Sequence, residues 1–141
     1  ARKEFEAELA LDPTNANAAY ELAEMHRKAG ELEPAQKLFE QAVSHYPTFE
    51  QALVGLGRTL VALGRPAEGL PHLQAALKTN PENEVAHYQA AQAYRALGNT
   101  ADQEKELAEF NRLRGLAAKR TAVPETKPEV TPQVLDLKSA K

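Results

Sequence analysis

Three glycines, Gly30, Gly64 and Gly98, stand 34 residues apart, and three prolines, Pro13, Pro47 and Pro81, keep the same interval. Residues of these two kinds end helices, Gly by taking positive φ past the last turn and Pro by disfavouring helix before it. Punctuation at a fixed interval of 34 is the period of a two-helix solenoid repeat. The stretch from Glu50 to Pro81 shows one unit entire, with two helix-sized halves split by Leu63-Gly64-Arg65-Pro66 and closed by Asn80-Pro81.

The elements follow in order. Ala1 to Leu11 reads as one helix, with Phe5 and Leu9 one turn apart. Asp12-Pro13-Thr14-Asn15 ends it, and Thr14 or Asn15 is placed to cap the next helix. Ala16 to Ala29 carries a stripe of Ala19, Leu22, Ala23 and His26, and Gly30 stops it. Glu33-Pro34 opens a third helix whose stripe is Ala35, Leu38, Phe39, Ala42 and Val43, ending at Tyr46-Pro47. In the middle unit Leu53, Leu56, Gly57 and Leu60 precede Gly64. A new helix starts near Pro66 or Ala67, and Pro71 is tolerable only in its first turns, ahead of Leu73, Ala76 and Leu77. The third unit runs Glu84 to Leu97, then Thr100 to about Gly115, with Thr100 as N-cap and Gln103 as its capping-box partner.

Past Gly115 the period dissolves. Residues 118–141 read as a Pro-rich, disordered or extended tail, with one apolar cluster at Val130, Val134, Leu135 and Leu137. The expectation is an all-α chain of about seven helices, an α-solenoid of antiparallel pairs. It divides into a helical domain 1–117 (partial repeat 1–15; repeats 16–49, 50–83 and 84–115) and that tail.

Charge narrows the partners. Up to Arg114 the chain holds 12 Lys/Arg against 17 Asp/Glu, a net of −5. An acidic body lacks the electrostatic footprint of nucleic-acid binding. No apolar run is long enough for membrane insertion. With no Cys there is neither a disulfide nor a thiolate site.

The columns carry a resemblance. The first complete unit gives Ala19, Leu22-Ala23 and His26, then Ala35, Phe39, Ala42 and Pro47; the middle gives Leu53, Leu56-Gly57 and Leu60, then Gly69, Leu73, Ala76 and Pro81. The third gives His87, Ala90-Ala91 and Tyr94, then Gln103, Leu107 and Phe110, with Gly115 where Pro would stand. On these residues the chain resembles the tetratricopeptide repeat family. The resemblance implies a right-handed superhelix whose first helices line a concave groove that takes a peptide or a partner's segment. Departures from the pattern add expectations. Gln103, in the column of Ala35 and Gly69, implies a looser last pair. Phe110, in the column of Ala42 and Ala76, implies the end of the array. The unpaired first helix implies that the native chain continues upstream.

Carried onto this chain, the groove rows are Tyr20, Val54 and Tyr88; Glu24, Arg58 and Gln92; and Arg27, Val61 and Arg95. Asn17, Gln51, Gly55 and Gln89 lie beside them. The tyrosines offer aromatic faces and the arginines bidentate donors for carboxylates. Against this stands the bland reading that these are merely exposed first-helix side chains. In the family, repeats that clamp a heat-shock chaperone's C-terminal carboxylate use Lys, Asn and Arg at positions held here by Tyr20, Glu24, Gly55, Val85 and Gln89. That motif is absent, and a chaperone tail is not the expected partner.

No chemistry competes. His26 and His87 occupy packing columns, His45 and His72 lie on second helices, and no HExxH, HxH or carboxylate-paired His spacing occurs. Gly55-Leu56-Gly57 lies mid-helix and cannot cradle a phosphate. The sequence therefore predicts no catalytic residues, no metal and no cofactor, and a non-catalytic interaction scaffold. Two alternatives stay open: an accessory domain presenting substrate to a larger enzyme, and an assembly module that self-associates through the N-terminal helix or the tail.

Overall fold

The computed structural model describes residues 1–126, and these form seven α-helices and no strand. They are α1 (Arg2–Leu11), α2 (Ala16–Lys28), α3 (Leu32–His45), α4 (Glu50–Ala62), α5 (Pro66–Thr79), α6 (Glu84–Ala96) and α7 (Thr100–Thr126). Each packs chiefly on its sequence neighbours, and first helices also meet across units, α2 with α4 and α4 with α6. That is the expected helical solenoid.

The turns within pairs are built identically. Gly30, Gly64 and Gly98 have φ of 79°, 78° and 79°. Beside them Glu31, Arg65 and Asn99 donate backbone N–H to the carbonyls of His26, Leu60 and Tyr94 at 2.8–2.9 Å, while each glycine N–H reaches Arg27, Val61 or Arg95 at 3.0 Å. These are Schellman closures, which satisfy the last carbonyls of the first helix and reverse the chain.

Turns between units differ from one another. Asn15 and Asn83 cap α2 and α6 by accepting from Ala18 and Ala86 N–H, each at 2.9 Å. Thr14 instead binds Asp12 Oδ1 through both its amide and its hydroxyl, which lowers the Asp12 pKa. Phe49, before α4, has no capping side chain. The cap of α7 is Asn99, not Thr100: its Oδ1 accepts from Asp102 N–H at 3.2 Å, and its amide donates to the Asp102 carboxylate at 2.6 Å. An Asn directly after the Schellman glycine takes the role one residue earlier than the Thr can.

Packing is closest in the middle pair. A Cβ on Gly69 would lie 2.7 Å from the Gly57 carbonyl oxygen, and one on Gly57 would lie 2.5 Å from Leu73 Cγ. Around this contact Leu60 and Leu73 are fully buried, and Leu56 and Leu60 join Ala19, Ala23, Ala35, Phe39, Ala42 and Ala52 in the core that α4 shares with α2 and α3. Buried Thr59 satisfies its hydroxyl on the Gly55 carbonyl at 2.7 Å.

The last unit departs from expectation in two ways. Gln103 is half-buried at the edge of its pair, and α6 and α7 meet about as extensively as α2 and α3, so it does not loosen them. Helix α7 also continues through Gly115 to Thr126 rather than ending where the period stops. One Gly inside a helix costs only about 1 kcal/mol relative to Ala, and Leu116-Ala117-Ala118-Lys119-Arg120 are good helix formers. The apolar cluster of Val130 to Leu137 lies outside the described residues.

Because Leu56 is fully buried between units, Leu56→Ala should lower unfolding free energy by about 2–5 kcal/mol in urea denaturation. A Cβ at Gly64 meets no atom within 4 Å, so the cost of Gly64→Val, about 1–2 kcal/mol or more for a β-branched residue, should come chiefly from the left-handed backbone, as a thermal melt would show.

Candidate functional site

Two adjoining cavities open along the face formed by α2, α4 and α6. The first, about 190 Å³, is lined by Tyr20, Glu24, Gln51, Val54, Gly55, Arg58, Asn83 and Val85. The second, about 210 Å³, is lined by Arg58, Val85, Tyr88, Gln89 and Phe110. Arg58 and Val85 belong to both, so the two form one groove with Arg58 at its middle.

The walls are built from packed aromatic rings. Tyr20 is packed between Phe39 and Phe49, with ring centroids 6.0 and 5.0 Å away, and Tyr46 extends the cluster from Phe49 at 5.2 Å. Burial, then the nearby Glu24 and Glu21 charges, push the Tyr20 phenol's pKa up, so it stays a hydrogen-bond donor. Gly55 forms the floor because nothing larger fits: a Cβ there would lie 2.5 Å from the Phe39 ring edge. At the other end Tyr88 leans on Phe110 at 5.2 Å, and Arg114 covers Phe110 with its guanidinium 5.7 Å from the ring centre.

Charge is unevenly spread. Arg27 donates twice to the Glu24 carboxylate, from Nε and Nη2, both at 3.0 Å. That pair offsets the charge of Glu24, the carboxylate in the lining. Asn83 is also committed, because its amide nitrogen donates to Glu50 while its oxygen caps α6. Arg58 is exposed and has no carboxylate partner among the described residues.

The family-model comparison decides what this array is. A model described as anaphase-promoting complex, cyclosome, subunit 3 matches residues 1–76, and one described as tetratricopeptide repeat matches residues 54–118. The chain belongs to the tetratricopeptide repeat family. It is 35% identical over 86 residues to anaphase-promoting complex subunit 7 of Arabidopsis thaliana, a match that takes 61% of this chain and 15% of that protein. The chain thus spans a small part of the curated relative's length. Among solved structures, a crystal structure of MamA superposes with a TM-score of 0.76 at 19% identity, over 84% of this chain and 69% of that one. A second MamA structure gives 0.73 at 16% identity, over 96% and 68%. Both likenesses are of fold.

Within this tetratricopeptide array, the structure brings Tyr20, Glu24, Gln51, Val54, Gly55, Arg58, Tyr88 and Gln89 together around the two cavities. Asn17, Arg27, Val61, Gln92 and Arg95 line neither. The lining residues absent from the sequence-derived set are Asn83, Val85 and Phe110. Val85 shares the column of Asn17 and Gln51 and was legible there. Phe110 lies on a second helix, and only its size gives a sign that it crosses to the groove.

The histidines do not gather. His87 is buried, with Nδ1 2.7 Å from Glu106 Oε1 and Nε2 2.7 Å from the Pro81 carbonyl, so it ties α6 to α7 and to the preceding turn. His26 meets Glu31 at 2.7 Å, where Arg2 joins it at 3.1 Å, and both contacts lower the Glu31 pKa. Such carboxylate partners lie outside any local spacing motif. Half-buried His72 has its pKa lowered by desolvation. No helix among the described residues is long and apolar enough to cross a membrane, and none of their His, Asp and Glu form a metal-holding group.

Gly55→Ala should lower unfolding free energy by about 1–3 kcal/mol, because the buried Phe39 ring must shift. Gly115→Ala, where a Cβ meets nothing within 4 Å, should be neutral or raise stability by up to about 1 kcal/mol. Thermal melts of the two variants check the contrast.

Proposed function

We propose that this chain is a non-catalytic scaffold that holds a protein segment in the groove running from Tyr20 through Arg58 to Phe110. The observation that carries the reading is two adjoining cavities along three successive first helices, with packed aromatic walls and, shared by both, a guanidinium without a carboxylate partner among the described residues. A solenoid's concave face is where its binding usually concentrates. A scaffold role also agrees with the likeness to subunits of the anaphase-promoting complex.

The domain division that supports this reading is a helical-repeat body of three complete units behind one partial unit. The body would present the groove, whether alone or beside a larger enzyme. A second surface, for self-association, is favoured by α1, which has no buried residue and leaves Leu11 88% exposed. Light scattering across a concentration series tests that surface.

The groove is tested by Arg58→Glu and Tyr88→Ala, both at exposed positions. Arg58→Glu should leave the melting temperature within a few degrees of wild type, since surface changes usually stay within about 0.5 kcal/mol, while Tyr88→Ala also gives up its ring contact with Phe110, about 0.5–1.5 kcal/mol. Each should weaken capture of whatever protein the wild-type chain retains. Unchanged capture by both variants, with folding intact, sinks the groove reading. Tyr20→Ala is the wrong probe, because removing that ring opens the aromatic cluster as well.

A further inference from the structure

The two halves of the groove ask for different things. Around Tyr20 the lining is mixed, and its one carboxylate, Glu24, is already held by Arg27. Around Tyr88 the lining is mainly apolar, with Gln89 the polar residue besides Arg58: Val85 and Tyr88 remain 43% and 41% exposed, and Phe110 completes it. Arg58 stands where the halves meet. Arg2, Arg27, Arg65 and Arg112 each hold a carboxylate within 3.1 Å, but Arg58 holds none among the described residues. Arg95 has no such partner either, but it lines neither cavity.

An unpaired guanidinium at the rim of an apolar cavity has a definite complement. A basic segment would meet Arg58 with no free carboxylate in the lining to offset the repulsion. A purely apolar segment would cover Arg58 without giving its donors an acceptor, which costs free energy. A carboxylate fits, and Arg–carboxylate pairing is bidentate and charge-assisted.

Resting on the groove reading above, we propose that the occupant is a partner's segment carrying an acidic residue beside a large apolar one. The apolar side chain enters the cavity of Val85, Tyr88 and Phe110. The neighbouring carboxylate accepts from the Arg58 guanidinium. Phe110 therefore sets specificity, although it lies on α7 and not on a first helix. Its column holds Ala42 and Ala76 in the other units, so its extra bulk is free to serve as a wall.

The test is selection of random displayed peptides on the full chain, wild type against Arg58→Glu and Phe110→Ala. Alanine at residue 110 repeats what the fold already accepts at Ala42 and Ala76. Wild type should enrich peptides with Asp or Glu beside Leu, Ile, Met or Phe. Arg58→Glu should bind a selected peptide about tenfold more weakly or worse, and a Lys in place of the peptide's acid should restore binding. Phe110→Ala should lose the apolar preference and keep the acidic one. Enriched peptides without the acidic residue, or affinity unchanged by Arg58→Glu, overturn this inference and leave the groove reading standing. If wild type enriches nothing and stays monomeric, both fall. If it enriches nothing and forms a dimer that Arg58→Glu disperses, the occupant is a second copy and the proposal of an external partner is overturned.

Discussion

The fold depends on how closely two helix backbones can approach within a pair. At the centre of the array Gly57 and Gly69 let α4 and α5 touch with no Cβ between them. In the first unit the corresponding columns hold Ala23 and Ala35, both fully buried. Only at such separations can Leu56, Leu60 and Leu73 interlock around the crossing instead of holding the helices apart. The core is therefore largely alanine by count, and its cohesion comes from closeness more than from the apolar area of each residue. The repeated glycine turns serve the same contact, because they reverse the chain tightly enough for each second helix to meet the small face of the first.

This constraint explains what the sequence made legible. A period of 34 and its three glycines specify helix number, turn position and the small-residue columns, since those features depend on backbone geometry that each unit must repeat. What depends on individual side chains was less legible. Asn99 displaced Thr100 as the cap of α7 because two adjacent residues both suit the role and only the turn geometry chooses between them. The extension of α7 past Gly115 was hidden because a helix exposed on most of its surface leaves no apolar stripe to read. His87 and Glu106 pair across helices, a relation that spacing along the chain does not encode.

The groove divides the same way. Rows inferred from equivalent positions on first helices placed most of its lining, because a solenoid repeats those positions on one face. Asn17, Arg27, Val61, Gln92 and Arg95 fell outside for local reasons. Arg27, for instance, turns to Glu24, one helical turn back on its own helix. Equivalence of position fixes which face a residue occupies, but the side chain's nearest partner decides where its charge goes.

Phe110 shows why the last described unit is where repetition is least informative. In the other units its column must be small, because the next first helix packs against it: Ala42 and Ala76 are both fully buried. In the last unit of the described chain no following helix imposes that limit, and the ring turns back onto Tyr88. Beside it Tyr88 is 41% exposed, whereas Val54 in the same column of the middle unit is buried. The bulk of Phe110 thus forms the apolar end of the groove among the described residues. A chain that ended instead on another alanine would keep the turns and the close middle pair, yet it would lack that wall.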